Sequence, residues 1–490
     1  MGGGAADERQ RRVVSRAEPT LQHQLQEMAS LPIPDELLGE ILLRLPTPAD
    51  LARSSAACVA FRRVTADRSF LRRYRKLHTP PLLGFLEESK FFHAATQPYP
   101  SASAASAVAV AADFSFSFLP APACSWVPRD TRDGRVLLDR PTRIPTGDVF
   151  FPEVVVCDPL HRRYLLLPPV PDDLASTVED LFWTRKRTKR LSVQIFLVPT
   201  GDEEEEAADE TSFRVICMAQ CKARLVAFVF SSNTGQWRAV PPRRWIDLSA
   251  DLPRLTSRNR FYHHQYVYGC FYWTTGSIEE SKLLVLDIKT MEFSIAKPPP
   301  EANGCLNFVM VEAGEGRPGM FVVQEPESSV PPDNRPTISY FIRQNDSGSS
   351  SRWRKVKETS LDFRPHFVCN MEKYPLLYQV RERSSQLKEC CFTMDIETFQ
   401  LEKVCYVESN EVFLRRLRAY RNFPPSLLSS PTISNGKLSS YLLLFYHTSH
   451  SSLWGSVTLL YMIWSYFVFS AFGKANQARE RNYDLFVCLF

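Results

Sequence analysis

The strongest constraint on the fold of this chain is a turn signature that returns five times. An apolar strand ends in Asp or Ser, a polar residue follows three positions later, and an aromatic or leucine stands six positions on. The copies are Asp287/Thr290/Phe293, Ser231/Thr234/Trp237, Asp158/His161/Tyr164, and two partial ones, Ser347/Ser350/Trp353 and Asp395/Thr398/Leu401. Such spacing is that of a hairpin: the first side chain accepts a turn amide, the second continues the bend, and the third packs the returning strand. None of the three roles is catalytic.

The leading positions lie 73, 56, 60 and 48 residues apart, close to the length of one blade in a kelch-type β-propeller. The region from about 80 to 430 is therefore expected to be an all-β domain of six or seven blades, with a pair of β-sandwiches as the alternative. Its 36 prolines against 19 glycines across the whole chain fit many short, interrupted elements. A chain of 490 residues exceeds one ordinary core,, and 44% hydrophobic residues supply material for more than one.

The N-terminal part follows another period. Residues 1–28 are polar and read as a leader,. From Asp35 to Leu45 the apolar residues Leu37, Leu38, Ile41, Leu42 and Leu45 recur at spacings of three and four, which predicts one helical stripe. Pro46 ends that helix, Thr47-Pro48-Ala49-Asp50 starts a second,, and Asp67 to Lys76 predicts one more short basic helix,. The fold class expected is thus α+β and multidomain, with a small all-α module at 29–77, the all-β domain at 80–430, and an atypical apolar tail at 431–490.

The stretch LPIPDELLGEILLRLPTPADLARSSAACVAFRRVTADRSFLRRY resembles an F-box, matching its LP-x-D-x-L-x-x-E-I-L-x-R-L-P opening at nearly every defining position. The resemblance implies that Leu31, Pro32, Leu37, Leu38, Ile41, Leu42, Leu45, Pro46, Leu51, Cys58 and Phe61 include the surface buried against a Skp-family adaptor, which in turn holds a cullin. Where the family carries Val-Cys-x-x-Trp, this chain has Ala57-Cys58-x-x-Phe61. The leucines as the mere core of a helical bundle are the alternative. In the β-rich region, GCFYWTTG (269–276) followed by LVLDIKT is similar to the F-box-associated propeller domains common in plants, which implies capture of a protein target. The function expected is the substrate-recognition subunit of a Skp-cullin-F-box ubiquitin ligase, and the alternative is an interaction scaffold not coupled to a ligase.

Chemistry of other kinds has no clear carrier. There is no Gly-rich phosphate loop, no G-x-S-x-G elbow and no H-E-x-x-H helix,. Cys217 and Cys221 lack a second ligand pair,. His263 and His264 are adjacent, as are Cys390 and Cys391, so in a strand each pair points to opposite faces. No catalytic residue, metal or cofactor is expected, and an oxidase on a propeller scaffold is a distant runner-up. A net charge of +5 gives no argument for nucleic acid, and the polar start with scattered cysteines suits a reduced compartment, cytoplasmic or nuclear. RKRTKR (185–190) and the acidic run 202–206 are expected in loops, the former alternatively as a nuclear-import signal, and SASAASAVAVAA (101–112) in another loop,. Leu453 to Gly473 is apolar, uncharged and long enough to span a bilayer,; an atypical tail is the reading preferred, with a membrane anchor as the alternative.

Overall fold

A computed structural model describes residues 33–421, except 46–47, 66, 79, 123–124, 141–150, 179–192, 200–211, 253, 257–260, 276–280, 304, 306, 325–334, 345–351, 372–373, 381–388 and 408–416. The described chain falls into two compact units, divided after Pro80.

The first unit is helical. Helix α1 runs Asp35–Leu42, α2 Pro48–Ala57, α3 Val59–Thr65 and α4 Arg68–Leu77. Helix α1 stops three residues before the expected Leu45: the Arg44 and Leu45 amides turn back onto Ile41 and Leu42 ahead of Pro46, whose ring disfavours helical backbone in the residue before it. Pro48 opens α2 at a position where its missing N–H is no loss,. Cys58 separates α2 from α3, and its Sγ takes the Phe61 amide at 3.4 Å. Asp67 caps α4 by accepting the Phe70 amide at 3.1 Å,.

The second unit is a six-bladed β-propeller. Five blades are four-stranded antiparallel sheets in chain order, over residues 127–166, 193–244, 261–296, 308–360 and 364–407. Their innermost strands are β3 (Val127–Arg132), β7 (Val193–Val198), β11 (Phe261–Val267), β15 (Phe308–Glu312) and β19 (Arg364–Met371). The sixth blade is built from both ends of the domain. Strand β23 (Arg418–Arg421) lies innermost, and β1 (Leu82–Leu86) and β2 (Phe92–Ala94) stand outside it, with Phe85 opposite Ala419. The count of six is within the expected range, and the sandwich alternative is excluded by this sheet order. Strand β1 runs so close to β2 that a Cβ on Gly84 would meet the His93 carbonyl at 2.2 Å, at φ +152°, so only glycine fits.

Four of the five turn signatures are seen as outer hairpins, in the first, second, third and fifth blades. Asp287 Oδ1 accepts the Lys289 and Thr290 amides at 2.8 and 3.1 Å, and Asp395 Oδ1 accepts those of Glu397 and Thr398. Asp158 does the same for Leu160 and His161. In the second blade the Gly235 amide reaches the Ser231 carbonyl and Trp237 packs on Phe230. Ser347 and Ser350 lie outside the described residues, while Trp353 begins β18 (Trp353–Ser360).

Apolar side chains fill the spaces between blades. Phe213, Phe228 and Trp237 of the second blade pack with Val156 of the first, and Phe196 and Trp245 with Phe271 and Trp273 of the third. At five of the six junctions a side chain seals one blade to the backbone of the next. Asp130 accepts the Leu197 amide, Gln194 and Gln220 hold Phe261, and Gln265 holds Phe308 and Met310. Asn307 brackets Pro365 and Phe367 at 2.7 and 2.9 Å, and Arg418 Nε donates to the Arg129 carbonyl at 2.7 Å. Polar side chains thus complete there the hydrogen bonding that strand ends leave unmade.

One expectation fails here. Residues 102–111 form helix α5 rather than a loop. Alanine is the best helix former, and its small side chains let α5 lie close, with Ala105 fully buried. Two one-turn helices, α6 (Asp172–Ala175) and α7 (Trp245–Leu248), complete the described α-helices. The runs 185–190 and 202–206, the tail 431–490 and its segment 453–473 lie outside the described residues. Among the described residues, no helix is long and apolar enough to cross a membrane.

Candidate docking surface

In helix α1 the expected stripe divides. At 100° per residue the five apolar positions span an arc of roughly 140°, and the core of the small unit takes only one side of it. Leu38 and Leu42 are 2% and 3% exposed, whereas Leu37 and Ile41 are 57% and 53% exposed. Leu43, Leu51, Ala60, Val64, Phe70 and Tyr74 complete the buried set. Leu45, Cys58 and Phe61 are half-buried, and Leu31, Pro32 and Pro46 lie outside the described residues.

The helix is held at several points. Arg63 pairs with Asp35 at 2.8 Å and Arg73 with Glu40, which ties α1 to α3 and α4. The Tyr74 hydroxyl donates to the Leu45 carbonyl at 3.2 Å, and His78 Nε2 meets the Leu43 carbonyl at 2.7 Å. Burial, with the charge of Asp50, pushes the Tyr74 phenol up to about 12, so it remains a donor across the ordinary pH range. Leu37 and Ile41 are thereby presented on a fixed helix rather than a mobile one. Leu37 and Ile41, one turn apart in α1, form one outward pair,, and Ile33, also exposed, precedes the extended Pro34 at which the helix begins. Val59 and Leu77 are also exposed.

Around Asp130 the propeller has a buried polar centre. Asp130 accepts its own blade's Thr131 amide and the Leu197 amide of the next, both at 2.8 Å. His264 Nε2 stands 3.8 Å from it, an ion-pair distance rather than a hydrogen bond. Burial works against the charged carboxylate, but His264, Arg132 and the Leu197 amide outweigh it and hold Asp130 below the usual carboxylate range,. His264 is enclosed by Phe196 and Phe271, and the side chain of His263 lies outside the described residues. Cys217 and Cys221 are both buried. Among the described residues, no group of three or more His, Cys, Asp and Glu side chains is arranged to hold a metal.

No family model matches the chain, and no curated protein matches it in sequence. Among solved structures it is similar to the GH74 xyloglucanase from Xanthomonas campestris, at a TM-score of 0.33 and 13% identity over 66% of this chain and 45% of that one. It is similar also to the GH93 α-L-arabinofuranosidase of Fusarium graminearum, at 0.31 and 11% over 60% and 81%, and to the β-propeller domain of the Trilobed protease from Pyrococcus furiosus, at 0.30 and 9% over 57% and 69%. Likenesses this distant carry no activity to this chain, and the propeller stands on its own strand pairing.

Proposed function

We propose that this chain is the substrate-recognition subunit of a Skp-cullin-F-box ubiquitin ligase, its helical unit docking a Skp-family adaptor and its propeller holding the protein to be ubiquitinated. The observation that carries the reading is the outward pair Leu37 and Ile41, one turn apart on α1, placed within the motif that resembles an F-box. Exposed branched side chains in register on a helix are what helix-in-groove recognition uses. The chain itself performs no chemistry in this reading. It raises the effective concentration of the target beside a charged ubiquitin-conjugating enzyme.

Co-purification tests the proposal. Wild-type protein is expected to retain a Skp-family adaptor, and Leu37→Asp with Ile41→Asp to lose it while keeping the far-ultraviolet spectrum of the folded chain. Full retention by the double variant would sink the reading. A second reading, an interaction scaffold without a ligase, draws on Ala57, which is exposed but small, and on Phe61, which is half-buried. Titration of adaptor binding separates the two, since the scaffold predicts none.

A further inference from the structure

The ten described cysteines form no disulfide. Their placement in the strand registers is uneven. Cys157 faces Val136 and Tyr164, Cys217 faces Ile195 and Phe228, and Cys270 faces Val267 and Asp287. Cys369 faces Leu376 and Cys390 faces Tyr406. Cys391 alone among these has another cysteine directly across from it, Cys405, between β21 (Glu389–Met394) and β22 (Leu401–Val407).

Opposed residues of antiparallel strands have Cα atoms about 4.5 to 5.5 Å apart, inside the span of about 4.4 to 6.8 Å that a disulfide bridges. Each residue of the pair is only 1% exposed. An oxidant reaching them must therefore be nearly as small as water. A hydroperoxide such as hydrogen peroxide meets that condition.

We propose that Cys391 and Cys405 are a modification site, which hydrogen peroxide converts to a disulfide pinning β22, the outer strand of the fifth blade, to β21. Cys405 is oxidised first, and Cys391, directly across the strand pair, resolves it,. The sulfur of Cys405 displaces water from the peroxide as the O–O bond breaks, leaving a sulfenic acid and one water. Cys391 then attacks that sulfur, the S–O bond breaks, and the thiol proton leaves with the hydroxyl as a second water. Two thiols and one peroxide give one disulfide and two waters. The bond reaches beyond its own blade, because the Val404 carbonyl in β22 accepts the amide and hydroxyl of Thr96 at 2.8 and 3.2 Å. Fixing β22 fixes the anchor of the segment that follows β2.

Trypsin separates the partners. Cleavage after Lys388, Lys403 and Arg415 leaves Cys391 on residues 389–403 and Cys405 on residues 404–415. The whole protein treated with peroxide, alkylated and digested without reductant should yield these two peptides linked, two hydrogens lighter than their sum, and separate again on reduction. Fragmentation should place the link on Cys391, Cys390→Ser should preserve it, and Cys405→Ser should abolish it. The thermal midpoint of the oxidised protein should rise and return on reduction. Oxidation of the half-buried Cys58 and Cys270 with peptides 389–403 and 404–415 left unlinked, or a link through Cys390, would overturn the assignment.

Discussion

Gln220 and Phe261 are joined at two points: the Gln220 side-chain amide donates to the Phe261 carbonyl at 2.8 Å, and its oxygen accepts the Phe261 amide at 3.1 Å. Gln220 is fully buried, in a strand whose neighbouring side chains are apolar. It acts as a single rung of sheet between the second blade and the third. Gln194 gives the same carbonyl a second donor at 3.1 Å.

Gln220→Ala is expected to strand the Phe261 amide and to lower stability by about 2 kcal/mol, the cost of one buried orphan donor. Gln194→Ala should cost less alone, since Gln220 still serves the carbonyl. The double variant should cost more than the two single losses added, because only then are both backbone groups of Phe261 unmet. Urea titration followed by tryptophan fluorescence reads all three. An unshifted midpoint for Gln220→Ala would refute the role of this seal.

Asp130 predicts an acid limb. Its carboxyl is held below the usual range in the folded chain, so the charged form is favoured by folding. The stabilisation is complete above the ordinary carboxylate range and is lost as pH falls through it toward the lower folded value. Asp130→Asn keeps the shape and removes the titration. The variant should be less stable than wild type at neutral pH, and the gap should close as the solution is acidified. A gap that stays constant with pH would show that the charge of Asp130 contributes nothing.

Neighbouring leucines of α1 should behave oppositely. Leu38→Ala opens the core of the small unit and is expected to cost about 2 to 5 kcal/mol. Leu37→Ala removes an exposed side chain and should stay within about 0.5 kcal/mol of wild type. Thermal melts of the two variants compare them directly. Equal losses would place Leu37 in the core and remove it from any docking role.

The sequence was most legible where the determinant is local. Asp287, Thr290 and Phe293 announce their hairpin because the turn is built from the side chains that name it. The closure of the sixth blade was hidden, since β23 pairs with β1 and no short-range pattern marks a partner so far along the chain. Gln220 and Asn307 escaped notice for a related reason: a lone amide in or beside an apolar strand says nothing of the backbone it meets across a junction. In α1 the spacing located the apolar arc, but which part of it faces inward is decided by α3 and α4. Helix α5 was hidden by low complexity, although its alanines carry a plain helical preference,.

The closing blade also sets an order of events during synthesis. Strands β1 and β2 emerge first, but their inner partner β23 lies roughly 330 residues downstream of β1. At about 5 to 20 residues per second, the ribosome leaves the inner edge of β1 waiting on the order of 20 to 70 seconds for its mate. The nascent chain therefore carries an apolar strand, Leu82–Leu86, with one edge open through most of translation. Chaperones that shield extended apolar segments have their natural client in that interval, before the ring shuts.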